Sequence, residues 1–361
     1  MKYFVNVVAV LVAACAVNTR ACGADAPALP ALEWHEFPDA VKFAVRGLPW
    51  FAENSPRFWR MPATDMASLP KGVQGRSKCP SGGRIAMRST TSRLAVRSTA
   101  VRGSSVARFD AYVNGRPFHS MAAGDSGTAT ELVLFDGLGG EEKEIVVYLP
   151  HLQEVVVTAL GVDAGALFRE PEPKYALSLP VVFYGSSVCQ GSGSSSPGQT
   201  YEAILCRGLN LDFVNLGFGG AGKAEPNVVE LVNSVSGCCY VFDLGKSYGA
   251  QDATAFKAML QAIRRKHPEV PLVVLTPITS VKEVQEPAYA ERSIHTRKAM
   301  RDAAAELIQA GDQRIFLVEG EDLLGFNEHV LLSRDGVHPA ERGHKVIAAK
   351  LSPILRKALG L

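Results

Sequence analysis

The stretch Val181-Val182-Phe183-Tyr184-Gly185-Ser186-Ser187-Val188-Cys189-Gln190-Gly191 decides how this chain is read. Four apolar residues make a strand buried on both faces, and the small Gly185 lets it turn sharply. A serine placed there is exposed at the strand's carboxyl end. The residues that follow can open a helix whose free N–H groups face the same crevice. Ser187 is the candidate nucleophile and Ser186 its rival. A structural turn serine would look the same from this segment alone.

Working outward, the segment has the texture of a larger pattern. Short apolar runs recur at 181–184, 213–216, 240–242, 272–275 and 315–318, with helical stretches at 201–209, 226–235, 253–267 and 288–310. Strands alternating with helices predict a parallel sheet covered by helices on both faces. Ligands bind such sheets outside the carboxyl ends of the strands, where Ser187, Gly220 and Ser247 fall. Asn215-Leu216-Gly217-Phe218-Gly219-Gly220-Ala221-Gly222 closes the second strand. Most of its glycines read as turn positions needing positive φ, and the N–H of Gly220 is a candidate oxyanion donor beside that of Ser187. The spacing is not that of a dinucleotide fingerprint.

Asp335-Gly336-Val337-His338-Pro339 supplies the remaining chemistry. An aspartate three residues before a histidine can hold one imidazole nitrogen and aim the other at a serine. Ser187, His338 and Asp335 are therefore the candidate catalytic set. Pro339 suits the first position of the closing helix, whose buried stripe is Val346, Ile347, Leu351, Ile354 and Leu355, with Pro353 as a kink. His344 reads as a surface residue, and Lys246 as a solvent-exposed one, with a cleft-facing position that adds positive charge there as the alternative.

Residues 30–168 look different. Near copies at 84–90 and 93–99 alternate apolar with Arg or Ala positions, the pattern of strands with one wet face. Further strands are expected at 108–113, 130–135, 144–149 and 154–160, which predicts an antiparallel sandwich. The Pro-, Trp- and Phe-rich segment 47–73 reads as an ordered loop packed on a neighbour. Trp34, Trp50 and Trp59 read as packing residues, with sugar platforms as the alternative. The polar, proline-punctuated segment 169–177 is the expected linker to a second domain at 178–361.

Basic and acidic side chains number 38 and 36, a net charge of +2, so no strong field favours nucleic acid. Residues 1–24 read as an export signal, with Lys2 before an apolar run too short to span a bilayer comfortably. Cleavage after Ala24 and a lipobox ending at Cys15 both fit. The expected location is therefore periplasmic, secreted or lipid-anchored, with membrane attachment only through a lipidated Cys15. Of seven cysteines, five follow Ala24, at irregular spacing that suggests no disulfide framework. Cys238 and Cys239 read as small core residues. No metal-ligand spacing occurs, and neither a metal nor a cofactor is expected.

With these residues assembled, 178–361 resembles the SGNH (GDSL-type) hydrolases, in the bacterial two-domain branch with an N-terminal β-sandwich. Gly185–Gly191 matches a first block Gly-Ser-Ser-x-x-Gln-Gly. Asn215–Gly220 matches a second, with Gly219 in place of a serine, and Asp335–His338 matches the last. Phe109–Val113 and Val147–Pro150 resemble the N-terminal domain more loosely. The resemblance implies a flavodoxin-like three-layer α/β/α domain preceded by a jelly-roll-like all-β sandwich. It implies a serine carboxylic ester hydrolase that forms an acyl-serine intermediate. Relatives of this arrangement include polysaccharide deacetylases, so the implied substrate is an O-acetylated carbohydrate or another small ester. Alignment puts Ser247 where the family has an oxyanion asparagine. That departure keeps a catalytically weakened glycan-binding protein as an alternative, beside a lipid or thioester acyl hydrolase.

Overall fold

The computed structural model describes residues 31–37, 43–101, 107–124, 127–171 and 174–361. The export segment with Cys15 and Cys22 lies outside them, as do Glu172 and Pro173 of the expected linker. Leu32–Leu361 cluster as one unit, so contacts between its two halves are part of the fold.

Among the described residues, ten strands build the N-terminal half: β1 (Leu32–Glu36), β2 (Ala44–Arg46), β3 (Arg84–Ser89), β4 (Leu94–Ala100), β5 (Arg108–Val113), β6 (Arg116–Ala122), β7 (Ala129–Phe135), β8 (Lys143–Tyr148), β9 (Val155–Asp163) and β10 (Phe168–Arg169). They form two antiparallel sheets, β1-β9-β4-β7 and β10-β3-β8-β5-β6, with β2 also paired to β3. Ile85, Met87, Leu94, Val96, Phe109, Leu134, Ile145 and Val147 fill the space between them. The face of β3 expected to be wet is covered: Arg84 is 3% exposed. Its guanidinium bonds Asp212 Oδ1 at 2.9 Å and Phe213 O at 2.7 Å in the second half of the chain. Segment 47–73 is ordered, as expected, but carries a short helix Phe51–Asn54, and helix Lys71–Ser77 follows.

The second half is a parallel sheet of β11 (Val181–Gly185), β12 (Phe213–Gly217), β13 (Cys239–Asp243), β14 (Leu272–Leu275) and β15 (Ile315–Val318). Its order, β12-β11-β13-β14-β15, is the flavodoxin-like one, with β11 central between β12 and β13. β11, β12, β13 and β14 are buried throughout, and separate apolar clusters cover the two faces. Helices Tyr201–Gly208, Pro226–Ser234, Ala253–Lys266, Pro287–Gln309 and Glu341–Leu359 supply those layers. Pro339 stands two residues before the last helix, which starts at Glu341; it instead bridges Leu332 as an isolated β-pair. Ile347, Leu351 and Leu355 are its fully buried stripe, with Val346 and Ile354 at the margin. The five cysteines among the described residues are free thiols.

Candidate active site

β11 delivers Ser187. A side chain at Gly185 would collide with the carbonyl of Asp243, so glycine is required there by close approach. Ser186 is buried and its N–H bonds Asp243 O at 2.9 Å. Ser187 begins the short helix Ser187–Gln190, so its N–H has no acceptor within that helix. Its Oγ lies 2.8 Å from His338 Nε2. The structure brings Ser187, not the rival Ser186, to the histidine.

His338 Nδ1 lies 2.5 Å from Asp335 Oδ2. Asp335 Oδ1 accepts from Ser333 Oγ at 2.8 Å, Val337 N at 2.8 Å and His338 N at 3.0 Å. Partial burial pushes this carboxyl upward, but the hydrogen bonds from His338, Val337 and Ser333 outweigh it and hold Asp335 well below the usual carboxylate range. A carboxylate on Nδ1 fixes the proton there and leaves Nε2 to accept from the serine. The carboxylate side chain is 49% exposed, so solvent shares in stabilising an imidazolium. We therefore expect Asp335→Asn to lower kcat by about 10²-fold, less than for a fully buried triad aspartate. Steady-state kinetics at matched stability checks this, and unchanged kcat would remove Asp335 from the relay.

The glycine loop after β12 faces Ser187. Only Gly220 among Gly217, Gly219, Gly220 and Gly222 has positive φ, at 74°. Gly217 and Gly222 are there because a side chain would strike the backbone of Gln190 and Gly185. Gln190 is almost wholly buried; its Oε1 accepts Gly219 N at 2.8 Å and its Nε2 donates to His151 O at 3.2 Å. Among the described residues the N–H of Gly220 has no partner, and Gly220 lines the same cavity as Ser187. That cavity is about 470 Å³ and includes Ser247 and Lys246 in its wall.

Two residues expected at the surface are not there. Lys246 is 12% exposed and its Nζ lies 2.5 Å from Glu283 Oε1. Burial draws its ammonium down to about 8. His344 is fully buried; its Nδ1 accepts from Tyr201 N at 3.2 Å and its Nε2 lies 3.1 Å from Ser192 O. Burial lowers it to about 4 and keeps it neutral, a brace for the loop after Ser187. None of the three tryptophans lines this cavity: Trp34 lies under Arg97, Trp50 packs on the core, and Trp59 sits between Arg57 and Lys78.

Arg60 is a supporting residue that sequence reasoning missed. It is completely buried, and its guanidinium donates to Cys79 O at 2.6 Å, Arg76 O at 2.7 Å, Asn215 O at 3.0 Å and Gly217 O at 2.6 Å. It thus ties segment 47–73 to the glycine loop. The one available signal was a pair of arginines, Arg57 and Arg60, inside an aromatic-rich loop. On the other flank, Asp110 Oδ2 accepts from Ser196 Oγ at 2.6 Å and Gly198 N at 2.7 Å. Tyr112 donates to Gly198 O at 3.1 Å.

A serine, an imidazole and a carboxylate in one relay beside unpaired backbone N–H groups can carry out acyl transfer. Comparison with family profiles matches residues 178–356 to the GDSL-like lipase/acylhydrolase family. Residues 178–356 belong to that family. The GDSL-like domain is preceded, at residues 53–158, by a match to the N-terminal domain of SsfX3. Among solved structures, a Bacteroides ovatus protein described as a GDSL-like lipase superposes with TM-score 0.78 at 23% identity, over 91% of this chain and 98% of that one. The salicylyl-acyltransferase SsfX3 from a tetracycline biosynthetic pathway gives 0.78 at 25% identity with the same coverage. A family two carbohydrate esterase from Clostridium thermocellum gives 0.57 at 18% identity, over 78% and 93%. An acetyl xylan esterase from Butyrivibrio proteoclasticus gives 0.57 at 14% identity, over 91% and 99%. No curated protein matches this GDSL-like chain significantly in sequence.

Proposed function

We propose that the protein is an exported serine esterase that removes short acyl groups, acetyl above all, from a carbohydrate. The observation that carries the reading is the relay Asp335–His338–Ser187, with heavy-atom separations of 2.5 and 2.8 Å. Ser187 Oγ attacks the ester carbonyl while His338 Nε2 takes its proton, and Asp335 stabilises the imidazolium. The developing oxyanion lies against the N–H groups of Ser187 and Gly220, which are fixed by the backbone and need no rearrangement. Ser247, on the same wall, stands in for the family asparagine with a shorter donor. His338 then passes its proton to the departing sugar hydroxyl, leaving an acyl-serine. Water deprotonated by His338 releases the acid and restores Ser187.

The carbohydrate and acetyl parts draw support from fold neighbours whose names specify those activities. Export draws support from the apolar N-terminal run alone. Transfer of the acyl group to an acceptor other than water is the second reading, favoured by the 25% identity to an acyltransferase over 91% of this chain.

The test is product analysis with a panel of acetylated polysaccharides and with p-nitrophenyl acetate and octanoate. We expect free acetate, and an acetate-over-octanoate preference of about tenfold or more. Faster octanoate turnover would move the activity to lipid or thioester chains. A new ester formed on an added alcohol would make it a transferase.

A further inference from the structure

The Ser187 cavity carries positive charge that the relay does not use. Arg76, Lys246 and Arg292 line it, from helix Lys71–Ser77, the turn Gly245–Tyr248 and helix Pro287–Gln309. Lys246 is engaged by Glu283, which also holds Arg297 at 2.7 Å. Arg76 and Arg292 are exposed, and among the described residues neither forms an ion pair. Arg76 borders the oxyanion loop: its Nε is 3.7 Å from where a Cβ on Gly219 would stand. Arg292 lies with its guanidinium carbon 4.8 Å from the centroid of the Tyr289 ring, another lining residue. Below the loop, Arg60 is held by oxygens of uncharged groups and by no carboxylate. Among the described residues the only acidic one lining it is Asp243, which accepts Tyr201 Oη at 3.1 Å. With a net charge of only +2 over the whole chain, this concentration is local.

We propose that Arg76 and Arg292 bind an anionic group of the substrate, a carboxylate, so that the preferred ester is carried by an acidic sugar of the uronic type. The inference rests on the esterase reading and names the class of alcohol that the esterase releases. Guanidinium forks match a planar carboxylate with two parallel N–H donors, which suits a site that must orient the sugar as well as attract it. An excess of positive side chains around the cleft also raises the local concentration of an anionic substrate, an effect that salt screens because both arginines are exposed.

The test compares acetate release from mono-O-acetylated methyl glucuronoside and from the matched methyl glucoside. We expect kcat/KM to favour the uronide by about tenfold at low ionic strength, and the ratio to shrink in high salt. Arg76→Gln and Arg292→Gln should each lower that ratio about fivefold. Lys357→Gln, on the exposed last turn of the closing helix, should leave it unchanged. Equal kcat/KM for the pair, or a preference that survives both arginine substitutions, would overturn the proposal. Equal or stronger inhibition by glucose 6-sulfate than by glucuronate would overturn the carboxylate assignment. Turnover of p-nitrophenyl acetate reports separately on the esterase reading. Should it show no dependence on Ser187, calorimetric titration of unacetylated methyl glucuronoside and methyl glucoside into Ser187→Ala protein decides this inference alone, and equal affinities would overturn it.

Discussion

Replacing Ser187 by alanine should abolish turnover of p-nitrophenyl acetate, with kcat falling by about 10⁴–10⁶-fold. The hydroxyl lost is the one 2.8 Å from His338 Nε2; the neighbouring Ser186 is buried and, among the described residues, its hydroxyl forms no hydrogen bond to the imidazole. The residual rate would come from the oxyanion N–H groups acting on water. His338→Ala should give a drop of similar size, and the double variant should be little worse, because the two groups act as one unit. Urea unfolding should be nearly unchanged for Ser187→Ala, since the side chain is small and only partly buried. A variant within about tenfold of wild type would show that chemistry happens elsewhere.

Arg60→Ala should cost about 4 kcal/mol of unfolding free energy. Four carbonyl oxygens, from Cys79, Arg76, Asn215 and Gly217, lose their donor together, and the site is too deeply buried for water to replace it freely. Burial already draws the guanidinium down to about 10, a sign of the desolvation it bears, yet it stays charged at neutral pH. Lysine should not rescue the variant, because a single ammonium cannot fan donors to four carbonyls on two separate stretches, 76–79 and 215–217. Among molecules that remain folded, kcat should fall by about 10²-fold, as loss of the Gly217 anchor lets the oxyanion loop drift. Chemical denaturation with kinetics at low temperature reads both effects. A loss below about 1 kcal/mol would mean that the neighbouring carbonyls find other partners.

The parallel sheet was legible in the sequence nearly to the residue because each of its strands is covered on both sides. Continuous apolar runs such as Leu272–Leu275 leave little choice. The reactive trio was legible because its members sit at fixed spacings in short motifs. What escaped depends on distant partners. Lys246 is buried because Glu283 receives it, and His344 because Tyr201 N and Ser192 O meet its two nitrogens. No local pattern encodes such matches. Helix Lys71–Ser77 carries two glycines and little apolar periodicity, so it looked like loop. β6 was missed for a different reason. Asn114 and Gly115, both at positive φ, form the tight reversal after β5, but the strand that follows them is mostly exposed and carries no apolar alternation to mark it.

The anchoring of the oxyanion loop by Arg60, and of the Ser196–Gly198 turn by Asp110 and Tyr112, has an evolutionary corollary. The reactive trio and the bed beneath its loops are encoded at least 75 residues apart, from Tyr112 to Ser187. Drift in the bed can reshape the mouth while every group that handles protons stays intact. Specificity in such a chain can diversify through its non-reactive half, and a laboratory search for new substrates has reason to begin at positions 57–60 and 110–112.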